Sequence, residues 1–364
     1  MPTVAQIVPE MHSGGVERGT LEVANALVEA GHRSIVISAG GRMVEALEAG
    51  GTEHIELPVG RKSPLTLRLV PRLRSILSQR EVSVLHARSR VPAWLSVLAL
   101  KRAPHRPAFV TTVHGLYSVS RYSRVMTRGD RVVCVSDTVR EYIRENYPDC
   151  PEAKLVTIHR GVDPDAYARS FRAPAEWESE FRNEFQLGER PLILLPGRLT
   201  RLKGHEDFLD MMAVLAERGS DAMGVIVGGR DPRRERYAEE ITSRVAGAGN
   251  VVMTGHRNDL REIMSVSSVV LSLSRKPESF GRTVLESLTL GVPVLGYDHG
   301  GVSEVLQKLY PKGRVPLGDI DHLATSCETL LSSQSASILE NTMFTLDQML
   351  CRTLELYSAV GQSL

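Results

Sequence analysis

Glu278-Ser-Phe-Gly-Arg-Thr-Val-Leu-Glu286 reads as a loop that enters a helix through a glycine, and Gly291-Val-Pro-Val-Leu-Gly296 follows it as a buried strand. About eighty residues earlier, Pro191-Leu-Ile-Leu-Leu-Pro196 runs into Gly197-Arg198-Leu-Thr-Arg-Leu-Lys203-Gly204 with the same grammar of strand, glycine-bounded loop and helix. Strand–helix alternation of this kind builds a parallel α/β sheet. Its loops at the strand C-termini collect ligand-binding residues. A helix N-terminus offers free N–H groups and a positive dipole end, which suits phosphate. Carboxylates accept hydrogen bonds from paired sugar hydroxyls. Arg198 and Lys203, five residues apart, form a cationic clamp for a diphosphate and would stabilise it as a leaving group. Glu278 can face a sugar ring and Glu286 can reach a ribose. Gly281 admits close backbone approach, and Thr283 and Val284 supply helix N-terminal amides. The alternative, two solvated glutamates, fits poorly with such apolar neighbours. Together these handles describe a nucleotide-sugar site.

The same alternation extends outward in both directions. In the first half it predicts strands near Val4–Val8, Ser34–Ser38, Thr52–Leu57, Val82–His86, Ala108–Val113, Arg131–Val135 and Leu155–His159, with a helix over Gly19–Ala30. In the second half it predicts strands at Ala222–Val227, Val251–Thr254 and Val269–Ser272, and helices at Glu206–Arg218, Arg233–Ala246 and Gly281–Leu290. At 364 residues the chain is about twice a typical domain. The expected organisation is an N-terminal acceptor-side domain over 1–165, a linker over 166–190, a nucleotide-sugar domain over 191–340 and a C-terminal helix over 341–364 that crosses back to the N-terminal domain. The fold class is α/β, with two Rossmann-like parallel-sheet domains facing across a cleft.

Composition narrows the function. Four scattered cysteines show no metal-ligand spacing, which suits reduced thiols in the cytoplasm. The N-terminus lacks the pattern of a signal peptide, and no apolar run reaches the roughly 20 residues needed to span a bilayer. Net charge is +1, yet Arg61–Arg131 carries 15 Lys/Arg against two acids, +13, and the remainder −12. That asymmetry suggests an anionic partner for the first half, with a solvated arginine-rich helical face as the alternative.

Gly14-Gly15 lets backbone approach a phosphate or sugar, but G-x-G-x-x-G is absent and a structural turn would look the same. His114 follows strand Ala108–Val113, where a site role competes with an ordinary structural hydrogen bond. His86-Ala-Arg88-Ser-Arg90 follows another strand and could equally belong to a basic surface. Asp163-Pro-Asp165 and Asp319-Ile-Asp321 spell a metal–diphosphate motif but sit in turn-like segments, so both are set aside. No catalytic Ser/His/Asp set appears.

In combination the segments resemble glycosyltransferase family 4, the retaining enzymes of GT-B fold. The resemblance rests on Gly14-Gly15, Val113-His114-Gly115, Val135-Ser136, His159-Arg-Gly-Val-Asp163, Gly197-Arg198…Lys203-Gly204, the Glu278/Glu286 motif and Gly300-Gly301-Val-Ser-Glu304, in order along almost the whole chain. Ser38-Ala-Gly-Gly41, His86–Arg90 and Phe280–Thr283 look closer to bacterial transferases that extend the lipopolysaccharide core.

The resemblance implies that Arg198 and Lys203 hold the donor diphosphate with the amides of Thr283 and Val284. Glu286 binds the ribose. Glu278, with the backbone of Phe280 and Gly281, orients the hexose. His114 touches the sugar near its C6 end, Gly14 and Gly15 shape the floor, and the base lies near His256–Arg257. It implies a nucleotide-sugar donor, with uridine favoured, and an anionic glycolipid acceptor. It further implies cytoplasmic work, with peripheral contact at the inner membrane. No metal, no other cofactor and no nucleic-acid partner are expected. Arg160, where many relatives have Asn, is expected to lie outside the chemistry.

Overall fold

The computed structural model describes residues 2–12, 14–103, 105–231, 234–333 and 336–361; Ser13 in the first glycine loop, Arg233 at a predicted helix start and the last three residues of the tail lie outside these. The chain divides into two compact units, Met1–Gly161 with Leu346–Leu364, and Val162–Thr345.

Among the described residues the first unit holds a sheet of seven strands: β1 (Thr3–Ile7), β2 (Arg33–Ser38), β3 (Glu53–Glu56), β4 (Val84–Ala87), β5 (Ala108–Val113), β6 (Arg131–Cys134) and β7 (Leu155–Thr157). All pairings are parallel, in the order β3-β2-β1-β4-β5-β6-β7. The helices are α1 (Gly15–Glu29), α2 (Val44–Ala49), α3 (Val70–Gln79), α4 (Arg90–Leu100) and α5 (Asp137–Asn146). Thr20, Val23, Ala24 and Leu27 of α1 are buried at helical spacing, which fixes its inner face. α1 starts four residues before the predicted Gly19, because Gly14 serves as its N-cap. Ser136 caps α5, its Oγ accepting from Val139 N at 3.0 Å.

In the second unit α6 (Ala175–Glu184) precedes a sheet of six strands among the described residues: β8 (Leu192–Pro196), β9 (Met223–Val227), β10 (Val251–Gly255), β11 (Val269–Ser272), β12 (Val294–Tyr297) and β13 (Arg314–Val315). The order β10-β9-β8-β11-β12-β13 repeats the doubly wound pattern of the first. Between and after these strands come α7 (His205–Glu217), α8 (Glu235–Ala248), α9 (Leu260–Ser265), α10 (Arg282–Thr289), α11 (Gly300–Leu309) and α12 (Ile320–Ser332). The segment 166–190, read from sequence as a linker, is built into this unit: Tyr167, Phe181 and Leu187 are buried in its core, and Trp177 stacks on Phe181 at 5.1 Å. Their aromatic area is what holds the segment there.

The last helix, α13 (Leu346–Gly361), returns to the first unit, where Met349, Tyr357 and Val360 pack with Val4, Val84, Val110 and Val133. No helix among the described residues is long and apolar enough to cross a membrane.

Candidate functional site

In the second unit the strand order reverses between β8 and β11, which pair in parallel through Val269–Ile193 and Val270–Leu194. The loops leaving these two neighbours carry Lys203 and Glu278. Topology therefore brings together residues 75 apart: Lys203 Nζ donates to Glu278 Oε1 at 2.6 Å. Gly197 makes room, since a Cβ there would press the Lys203 stem at 3.1 Å. Ser274 Oγ also donates to Glu278 Oε1, and His299 Nε2 donates to the Ser274 carbonyl at 2.7 Å. Burial pushes the Glu278 carboxyl up, but the Lys203 charge and these hydrogen bonds outweigh it, so its pKa lies below the ordinary value. Glu278 is thus an ionised, oriented acceptor. Ser274 and His299 did not emerge from the sequence; their positions just after β11 and β12 are the signal that could have found them.

Glu278 leads into α10. Gly281, its N-cap, has φ +89°, a left-handed conformation that a side chain disfavours, and a Cβ would meet Val302 at 2.9 Å. The amides of Arg282, Thr283 and Val284 precede the first bond of the helix ladder, Leu285 N to Gly281 O. Phe280 is buried edge-to-face on Phe344, so its backbone is anchored. Gly301 N donates to Glu278 O at 2.8 Å, and a Cβ on Gly301 would overlap Phe280 Cα. The Gly300-Gly301 pair is therefore the support of the glutamate loop. Glu286 is 6% exposed and accepts from Arg282 Nε at 3.1 Å.

Arg198 is exposed and forms no ion pair among the described residues. Arg257 is committed: Nε and Nη2 reach Asp259 at 2.9 and 2.6 Å, and Nη1 reaches Glu184 at 3.1 Å. Its guanidinium is a structural tie, leaving the backbone of this loop as the group a base could meet. A cavity of about 680 Å³ beside it is walled by Leu199, Gly228, Gly229, Met253, Gly255 and His256.

In the first unit Gly14 has φ +139° and Gly15 opens α1 with no atom near its Cβ position. Glu17 packs over Gly14, and burial raises its pKa, so an acid already sits at this helix start. His86, Arg88, Thr112, His114 and Arg160 lie at or just beyond the C-terminal ends of β4, β5 and β7, so one edge of the sheet gathers them. His86 and Arg88 are buried, 1% and 3% exposed, which removes them from the basic surface. His86 hydrogen-bonds Tyr357 of α13 through Nδ1 at 2.5 Å and Thr112 through Nε2 at 2.6 Å. Arg160, expected to stand aside, donates from Nη2 to His114 Nδ1 at 2.7 Å. Gly19 of α1 provides its seat, because a Cβ there would overlap Arg160 Nη1. Burial, then the charges of Arg160 and Arg88, hold His114 well below its usual pKa.

The set-aside aspartates have structural work. Asp163 Oδ1 accepts from Asp165 N at 2.9 Å, a side-chain turn, and Asp319 Oδ1 caps α12 through His322 N at 3.0 Å.

Two doubly wound sheets, the second with a cation–carboxylate pair at its switch point, define this chain as a glycosyltransferase of the GT-B class. Residues 13–166 match Glycosyltransferase Family 4 and residues 178–343 match Glycosyl transferases group 1. A glycosyltransferase from Rickettsia africae superposes with a TM-score of 0.86 at 29% identity, covering 99% of this chain and 98% of that one. Anabaena HepE, solved in complex with UDP and glucose, superposes at 0.83 with 18% identity over 99% and 100% of the two chains. In sequence, the N-acetyl-alpha-D-glucosaminyl L-malate synthase of Bacillus anthracis is 23% identical, covering 90% of this chain and 86% of its own length.

Proposed function

We propose that this transferase moves a hexose from a UDP-sugar to an anionic glycolipid of lipopolysaccharide-core type, with retention and without a metal, at the cytoplasmic face of a membrane. The observation that carries the reading is the Lys203–Glu278 pair beside the α10 N-terminus. Arg198 and Lys203 offset the growing charge of the departing diphosphate, assisted by the amides of Thr283 and Val284. Glu278 accepts from hexose hydroxyls, and Glu286 from the ribose. The backbone of Phe280 and Gly281 lines the sugar, and the backbone near Arg257 meets the base. His114 donates to the hexose near C6, and Gly14 and Gly15 form the floor. The acceptor hydroxyl passes its proton to the leaving phosphate, so no protein base is required. The second unit binds the donor in this account, and the first unit receives the acceptor. UDP and glucose in HepE support the choice of donor.

A groove of about 450 Å³ in the first unit supports the acceptor class: Leu67, Val91, Trp94, Leu95 and Tyr122 wall it, and Arg61 and Lys62 are at its rim. Leu65 and Leu67 on the adjoining turn are 62% and 52% exposed, an apolar face with a basic border. Arg74 is excluded from that border, because its Nε donates to Ala99 O at 3.1 Å at the α4 C-terminus. Arg68 and Arg72 are the exposed cations to reverse.

The decisive experiment is calorimetry against UDP- and GDP-sugars with chelator present, followed by slow donor hydrolysis. Binding of a UDP-sugar with metal-free hydrolysis, lost in Glu278→Ala and Lys203→Ala, supports the proposal; no sugar-nucleotide binding overturns it in favour of a non-catalytic partner. For the acceptor, Arg68→Glu with Arg72→Glu weakens attachment to anionic vesicles and leaves donor hydrolysis intact. Undiminished attachment removes the membrane reading.

A further inference from the structure

We infer a second ligand site in the first unit, a phosphate-ester cavity at the opposite edge of the sheet from His114. The cavity, about 580 Å³, lies at the N-terminal ends of β5, β6 and β7 and the C-terminal ends of α4 and α5. Phe109 in its wall is five residues before His114, about 16 Å along the strand. It is therefore separate from the strand ends that serve glycosyl transfer, and it stands or falls independently of the donor proposal.

Five cations line it: Lys101, Arg106, Arg124, Arg128 and Lys154. Arg106 is matched by Asp130 and Arg124 by Asp149, each at 2.9 Å. Lys101, Arg128 and Lys154 form no ion pair among the described residues; Lys154 Nζ donates to Gly129 O at 3.2 Å, and Arg128 lies over the Trp94 ring at 5.2 Å. A bland explanation exists, since cations suit helix C-termini. Each helix end supplies only about half a negative charge. Two ends therefore offset roughly one of three unmatched cations, and a surplus of about two positive charges remains, the charge of a phosphate monoester dianion.

A second observation is independent of charge. Tyr147, also in the wall, is 5% exposed, and its buried hydroxyl has no hydrogen-bond partner among the described residues. A buried polar atom left unsatisfied is costly; the hydroxyl is shielded from the cavity, so a ligand oxygen reaches it only by displacing part of the wall. Val97, Leu100 and Phe109 complete the wall, so the site takes a phosphate carried on a compact apolar or ring-shaped body. Free phosphate esters and lipid phosphate headgroups share this chemistry.

Phenyl phosphate and vesicles of phosphatidylcholine with phosphatidylglycerol separate those sources. The intact chain is titrated with each at low salt, alongside an Arg128→Gln/Lys154→Gln double variant and Tyr147→Phe, with circular dichroism and UDP binding verifying that the variants are folded. Saturable phenyl phosphate binding, weakened about tenfold or more in the double variant and less in Tyr147→Phe, establishes a site for soluble esters. Vesicle binding alone, lost in the double variant, assigns the site to a headgroup. If neither probe responds to these substitutions, or neither binds the native chain, the inference is overturned. Because UDP binding is followed in the same samples, failure here is distinct from failure of the donor reading.

Discussion

Arg160 Nη2 lies 2.7 Å from His114 Nδ1, and this one contact determines the state of the histidine. Arginine can only donate, so Nδ1 must accept, and the imidazole is neutral with its proton on Nε2. Burial first, and then the guanidinium charge, oppose a second proton. His114 is in consequence a fixed hydrogen-bond donor across the neutral pH range.

Replacing Arg160 by Ala removes a positive neighbour, so the His114 pKa rises and its tautomer is no longer fixed. Nitrogen-detected NMR of the imidazoles reads both effects directly. Transfer should fall by roughly tenfold, equivalent to about 1.4 kcal/mol of lost orientation. Gly19→Ala, which displaces the same guanidinium, should reproduce the NMR signature. An unchanged His114 titration in both variants would refute the link.

The stability of the first unit should fall as pH drops below about 6.5. His86 and His114, and to a lesser degree His54, have folded pKa values below the unfolded one, through burial first. Below pH 6.5 the unfolded chain therefore takes up protons that the folded chain refuses, and each such group removes up to about 1.4 kcal/mol per pH unit. His205, lowered to about 4, acts the same way in the second unit. The lowered carboxylates Glu53, Asp130 and Glu278 lose their contribution only from about pH 4.5 downward, so the windows separate. Urea unfolding near pH 7 and near pH 5 measures the histidine share; equal midpoints would exclude it.

Lys203→Ala leaves Glu278 largely buried without its cation, so the carboxyl pKa rises above the ordinary value. A loss of about 1–3 kcal/mol in the second unit is expected. Glu278→Gln in the same chain should recover part of it, a coupling of about 0.5–3 kcal/mol. Additive single losses in denaturant melts would show that the 2.6 Å pair carries no energy.

Gly281→Ala imposes a left-handed backbone on a side chain and presses Val302. A cost of about 1–2 kcal/mol from the backbone alone is expected. Because Gly281 aims the first amides of α10, donor affinity should fall with stability, which a thermal melt and UDP calorimetry on one sample can test.

Much of the candidate site was legible where chemistry and secondary structure share one short segment. Gly197 to Lys203 and Glu278 to Glu286 each run from a strand end into a helix, so periodicity and residue type pointed to the same place. Burial of Glu286 followed from its neighbours in the same way. Contacts between distant segments left no such trace. Arg160 and His114 are 46 residues apart on different strand ends, and Tyr357 reaches His86 across 271 residues. The linker reading of 166–190 failed for the same reason, since the burial of Phe181 depends on a core formed elsewhere in the chain.

By itself the sequence determined the class of fold, two doubly wound halves, and the positions of the Gly197–Gly204 and Glu278–Glu286 motifs, because local periodicity and helix-start chemistry act within a few residues. Only the tertiary structure decided which side chains meet: that Lys203 is already paired with Glu278, that Arg160 sets the proton on His114, and that Arg88 is buried. Those outcomes depend on strand order and on desolvation, which exist only once the sheets have assembled.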